Sequence, residues 1–132
     1  QGPLVDAAPK VELWLDGGHN PAGGEAVAAT LARMPKRETH LICGMLNTKD
    51  VTGYMVPLAP QVTRLHAVPI PGEKNTLPAE ATRDAARTAG IEAVTAGSVA
   101  EALAGIAATT PDARVLICGS LYLAGTVLRE NG

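Results

Sequence analysis

Leu13-Trp14-Leu15-Asp16-Gly17-Gly18-His19-Asn20-Pro21-Ala22-Gly23-Gly24 decides the fold of this chain. An apolar run stops at an acid, two glycines and an imidazole, and a helical pattern then begins. Val11–Asp16 reads as a buried strand, and Ala22–Met34 carries Ala, Val and Leu at helical spacing, with Pro21 suited to the first turn. In open α/β sheets ligands bind outside the carboxyl ends of the strands, where glycines permit close backbone approach and helix N-termini present free N–H groups. The segment therefore reads as a crest that holds a nucleotide or an anion.

The rest of the chain repeats the alternation. Thr39–Met45 is a second buried strand, followed by the polar Asn47-Thr48-Lys49-Asp50 and a shorter helix to about Ala59. Arg64–Ile70 is a third strand, and Pro69–Asn75 a loop rich in turn-formers. A helix over Ala79–Ala89 closes at Gly90, and Ala93–Ala96 is a short fourth strand. Ser98 caps a helix over Val99–Ala108, with Glu101 completing a capping box. Arg114–Cys118 is the fifth strand, and Leu121–Arg129 the last helix. Strands read as continuous apolar runs separated by helices predict an α/β, Rossmann-like domain with a mostly parallel sheet flanked by helices on both faces. Residues 1–10 read as the remnant of an interdomain connection and 11–132 as the domain.

At 132 residues, 46% of them hydrophobic, the chain has material for one core. That core is aliphatic, because there is no Phe, and only two Tyr and one Trp. A formal net charge of -2, with interspersed signs, gives no electrostatic footprint for nucleic acid or an anionic membrane. No apolar run approaches the length of a membrane span, and no basic region followed by an apolar stretch opens the chain, so it reads as cytoplasmic. Cys43 and Cys118 sit inside apolar Leu-Ile-Cys-Gly runs and read as small buried hydrophobes rather than a disulfide or zinc pair.

Those two quartets, Leu41-Ile42-Cys43-Gly44 and Leu116-Ile117-Cys118-Gly119, are identical. In a parallel sheet Gly44 and Gly119 end strands at the same edge, so with Asp16 they define three crest loops able to converge on one ligand. Asp16 at a strand end can accept from ribose hydroxyls or ligate a hydrated metal; the alternative is a helix cap. His19 beside a helix N-terminus suits an anion contact, or donates to a loop carbonyl. Asn20 is an N-cap or a ligand contact. Lys49 at the second crest can pair with a substrate carboxylate, and Ser120 resembles an anion-contacting hydroxyl at a strand–helix turn. His40 and His66 lie within strand patterns without acidic neighbours and read as structural. No P-loop, GxGxxG, HExxH or paired CxxC occurs.

Leu15-Asp16-Gly17-Gly18-His19-Asn20-Pro21 resembles the D-G-A-H-N-P segment of folylpolyglutamate synthase/dihydrofolate synthase, a relative of the Mur ligases. Gly44-Met45-Leu46-Asn47-Thr48-Lys49-Asp50 is similar to that family's G-M-x-x-D-K-D loop, with Asn47-Thr48 a departure before the lysine. Gly119-Ser120-Leu121-Tyr122-Leu123-Ala124-Gly125 resembles its closing G-S-L-Y-L-A-G. The three motifs stand in order over about residues 11–128 and match the family's C-terminal domain only.

The resemblance implies a Mur ligase C-terminal fold within an ATP-dependent amide ligase. Such an enzyme phosphorylates a folate or dihydropteroate carboxylate with ATP and Mg2+ and then lets the amine of L-glutamate attack. It places Asp16 near the ATP ribose, His19 near the phosphates as the catalytic candidate, Asn20 beside them, and Lys49 and Ser120 around the glutamate. It also implies an N-terminal ATPase domain as this chain's partner, holding most metal ligands, a monomeric enzyme, and an inactive isolated domain. A Mur-type ligase acting on a cell-wall nucleotide fits the closing motif less well. The alternative of a different class is a freestanding Rossmann-like nucleotide- or metabolite-binding module without catalysis.

Overall fold

The computed structural model describes residues 12–15, 21–45, 50–70 and 77–119. Each apolar run expected to be a strand forms one: β1 (Glu12–Leu15), β2 (Thr39–Cys43), β3 (Arg64–Ala67), β4 (Ala93–Thr95) and β5 (Arg114–Cys118). Between them lie α1 (Pro21–Arg33), α2 (Val51–Met55) running into a 3-10 turn (Val56–Gln61), α3 (Ala79–Thr88) and α4 (Val99–Thr109). The strands form one sheet in the order β1-β5-β2-β3-β4, and every neighbouring pair is parallel.

Parallel crossovers are right-handed, so the direction of each step decides which face its helix covers. The chain moves from β1 to β2, β3 and β4 in one direction and then returns to β5. Leu41, Cys43, Leu65, Ala67, Leu116 and Cys118 on one face pack with Tyr54, Met55, Leu58 and Ala86 from α2, the 3-10 turn and α3, and α1 adds Val27, Ala28 and Leu31. Ile42, Val115 and Ile117 on the other face pack with Val99, Ala102, Leu103 and Ile106 of α4. Burial on both faces explains why Leu41–Cys43 of β2 and Val115–Cys118 of β5 are continuous apolar runs rather than alternating.

Prolines set the boundaries that differ from expectation. β3 stops at Ala67 rather than Ile70: the Val68 amide still donates to the Cys43 carbonyl at 3.0 Å, but Pro69 has no N–H to carry the ladder further. The helix expected to reach Ala59 is α-helical only to Met55, because Pro57 and Pro60 each lack the N–H that an α-turn needs. β2 ends at Cys43, two residues early. At α4 the Ser98 hydroxyl accepts from the Glu101 amide at 3.1 Å, the expected N-cap. At the end of α3, Gly90 takes φ +94°, as its role as a helix stop requires. The expected last helix, Leu121–Arg129, lies outside the described residues.

Candidate functional site

Three parallel neighbours, β1, β5 and β2, end together. Leu15 pairs with Ile117, and Ile117 with Ile42. The identical quartets lie side by side in register, Leu41 with Leu116, Ile42 with Ile117 and Cys43 with Cys118. The loops that begin at residues 16, 44 and 119 thus leave one sheet edge within about 10 Å, two strand spacings. The Gly44 amide donates to the Cys118 carbonyl at 3.3 Å, extending the pairing one residue into the crest. Gly119 turns there with φ +105°, and a Cβ on it would stand 2.6 Å from the Gly44 carbonyl oxygen. Only glycine fits both the conformation and the approach.

The helices after these loops are placed by the same local chemistry. Pro21, whose missing N–H costs nothing in a first turn, opens α1, so the amino end of that helix adjoins the crest. Asp50 caps α2, its Oδ1 accepting from the Gly53 amide at 2.8 Å. Between the two helix starts lies a groove of about 360 Å³ lined by Pro21, Glu25, Gly53, Val56 and Pro57. Asp16, His19, Asn20, Lys49 and Ser120 themselves lie outside the described residues; what is described is the residue on which each loop is anchored. Leu15 precedes Asp16, Pro21 follows Asn20, Asp50 follows Lys49 and Gly119 precedes Ser120. The family model for the "Mur ligase, glutamate ligase domain" matches residues 4–121 of this chain.

The chain belongs to the Mur ligase family.

This Mur ligase domain is 33% identical over 119 residues to folylpolyglutamate synthase of Lacticaseibacillus casei, covering 87% of the chain and 26% of that protein. The Mycobacterium tuberculosis folylpolyglutamate synthase, solved in complex with ADP and AMPPCP, superposes with a TM-score of 0.74 at 31% identity, over 89% of this chain and 29% of that one. E. coli FolC in complex with DHPP and ADP gives a TM-score of 0.75 at 26% identity, over 86% and 27%. The chain thus spans between a quarter and a third of the length of these relatives.

A second polar constellation of the Mur ligase domain corrects the sequence reading. His40 does have an acidic neighbour: its Nε2 lies 2.7 Å from Oε2 of Glu38, two residues upstream. Its Nδ1 lies 3.0 Å from Nε2 of His66 on β3. The Thr110 hydroxyl, just past α4, also donates to Glu38 Oε2, at 2.8 Å. The signal was present in the Glu-x-His spacing at a strand start; the His66 partner appears only with strand pairing. This chain sits at the amino edge of the sheet, opposite the crest, and serves as structure. Burial, helped by His40 and Arg64, lowers the His66 pKa to about 4.

Cys43 and Cys118 are free and buried, as expected. Contact with the Cys118 thiol and burial push the Cys43 thiol well above its ordinary value, which disfavours the thiolate. No described helix is long and apolar enough to cross a membrane. Among the described residues no three His, Cys, Asp or Glu side chains converge on a metal position.

Proposed function

We propose that this domain is the glutamate-binding, ATP-closing part of an ATP-dependent ligase that adds L-glutamate to a folate or dihydropteroate acceptor. The observation that supports the reading is the adjacency of β1, β5 and β2, whose carboxyl ends share one sheet edge and precede Asp16, Ser120 and Lys49 in sequence. The solved structures similar to it, a folylpolyglutamate synthase with ADP and AMPPCP and FolC with DHPP and ADP, support the ligand classes.

In the proposed reaction the acceptor carboxylate attacks the γ-phosphorus of ATP, and ADP leaves. The glutamate amine then attacks the acyl carbon, phosphate leaves, and an amide remains. The chain carries too little net charge to steer anions over long range, so the acyl phosphate and the two glutamate carboxylates need local donors. His19 and the amino end of α1 face the phosphates, with Asn20 beside them, and Asp16 accepts from the ribose. Lys49 and Ser120 hold the glutamate carboxylates. When bound, Mg2+ would offset the phosphate charge, and its ligands would come mainly from an ATPase domain of the whole protein rather than from the described residues. The ligase works as a monomer in the cytoplasm, where ATP is supplied, and this domain closes over its ATPase partner as substrates bind.

The test is turnover with ATP, Mg2+, L-glutamate and a dihydropteroate or tetrahydrofolate acceptor, by this chain alone and mixed with the separately expressed ATPase domain. Turnover only in the mixture, lost on Asp16→Ala or His19→Ala, supports the proposal. Turnover that ignores this chain or both substitutions overturns it in favour of a binding module.

A further inference from the structure

At the amino edge of the sheet, opposite the crest, lies a cavity of about 560 Å³ between the end of α1, the 3-10 turn and the starts of β2 and β5. Leu31, Met34 and Pro60 give it an apolar lining, and Lys36, Arg37 and Arg114 bring three cations to it against the single carboxylate of Glu38.

The basic lining is held in place by the fold. Arg114 is only 4% exposed, its Nη1 donates to the Pro35 carbonyl at 3.1 Å, and its amide donates to the Glu38 carbonyl at 2.8 Å. Arg37 Nε donates to the Asp112 carbonyl. These bonds staple residues 35–38 to the start of β5, so little order has to be created when a ligand arrives. Glu38 Oε2 is engaged by His40 and Thr110. Among the described residues neither the Lys36 ammonium nor the Gln61 side-chain amide, which also lines the cavity, has a hydrogen-bond or ion-pair partner, so both are available to a ligand.

We propose that this cavity binds a small organic anion, an apolar ring body that carries a carboxylate or phosphate group. Its volume falls within the range of small-molecule sites, about 300–1,000 Å³. The C-terminus of α1 reaches the same edge with about half a negative charge, which the excess of cations outweighs. Guanidinium and ammonium groups donate to carboxylate or phosphate oxygens, and the Gln61 amide adds a neutral donor. Leu31, Met34 and Pro60 suit a ring rather than a second charge. The site stands apart from the crest and does not rest on the ligase reading.

The test is titration of the isotope-labelled chain with naphthoate, naphthyl phosphate and the neutral naphthamide, followed by NMR amide shifts and by thermal unfolding. Saturable shifts at Ala32, Lys36, Arg37 and Gln61, a Kd below about 1 mM for at least one anion and a raised Tm are expected. The tighter of the two anions identifies the group the site takes. Naphthamide keeps the ring but not the charge, and binds at least about tenfold more weakly. Lys36→Glu lowers the anion affinity at least about tenfold, and Gln61→Ala about threefold. If Lys36→Glu lowers the Tm of the free chain, Lys36→Ala carries the comparison, with a loss of about fivefold. Absence of saturable binding, shifts confined to Gly44 and Gly119 at the crest, equal affinity for naphthamide, or an affinity that ignores both Lys36 substitutions overturns the proposal.

Discussion

Glu38 and His40 are joined at 2.7 Å between a carboxylate oxygen and Nε2, and this pair ties together elements from across the amino edge of the sheet. Glu38 Oε2 also accepts from Thr110, and its carbonyl accepts from the Arg114 amide at 2.8 Å. His40 passes the connection to His66 on β3. The two imidazoles thus link the Glu38 carboxylate to β3, with His40 Nε2 toward the carboxylate and His40 Nδ1 toward His66 Nε2.

Stability falls on mild acidification because His66 resists a proton in the folded state. Its folded pKa of about 4 lies below the ordinary 6.5, so below pH 6.5 the unfolded chain gains a proton that the folded chain refuses. The stabilisation is complete above pH 6.5 and is lost as pH falls to 4. The full shift is discounted for partial solvent screening, leaving about 1–2 kcal/mol. The His40 hydrogen bond, foremost, holds the Glu38 carboxyl below its ordinary 4.5, so its own contribution is lost only at lower pH and does not blur the comparison. Urea unfolding at pH 7.5 and pH 5 is predicted to show a larger loss for the native chain than for His66→Gln. Equal losses would count against the assignment.

Gly119→Ala combines strain with collision. The new Cβ sits at φ +105°, within 3 Å of the Gly44 carbonyl oxygen and of the Met45 and Cys43 sulfurs. A loss of about 2–4 kcal/mol is expected from denaturant unfolding. Gly105→Ala is the control: in α4 its Cβ meets nothing within 4 Å, and it is predicted to stabilise by about 0.5–1 kcal/mol.

Gly24 is where α1 meets α2. A Cβ there would lie 2.0 Å from the Tyr54 carbonyl oxygen and 3.2 Å from Pro57 Cγ. Backbone cannot step aside as a side chain does, so Gly24→Ala forces the two helices apart at a cost of about 2–3 kcal/mol. A Tm equal to that of the native chain would refute the close approach.

Asp50 holds the beginning of a five-residue helix that is too short to stand without its cap. Asp50→Ala is expected to lose about 1 kcal/mol in denaturant unfolding, and Asp50→Asn, which keeps the acceptor, only a few tenths. Since Lys49 is the preceding residue, the proposed ligase should lose more turnover with Ala than with Asn, read as a raised KM for glutamate. Equal losses would separate the cap from the site.

The sequence by itself determined the element types and the sheet edge at which the crest loops start. Apolar runs such as Leu41–Cys43 and Val115–Cys118 can only be buried on both faces, and Gly44 and Gly119 mark their carboxyl ends. The echo of two Leu-Ile-Cys-Gly quartets held a spatial fact, but composition alone could not show that they pair. Only the tertiary structure decided that β5 inserts between β1 and β2, because strand order depends on long-range pairing and the handedness of crossovers rather than on any local pattern. It also decided which polar residues found partners. His40 and Glu38 share a strand start, but His66 lies 26 positions further on, and its contact exists only because β2 and β3 are hydrogen-bonded in that register. Cys43 and Cys118, 75 positions apart, stand side by side for the same reason, since register, not sequence distance, sets which side chains are neighbours.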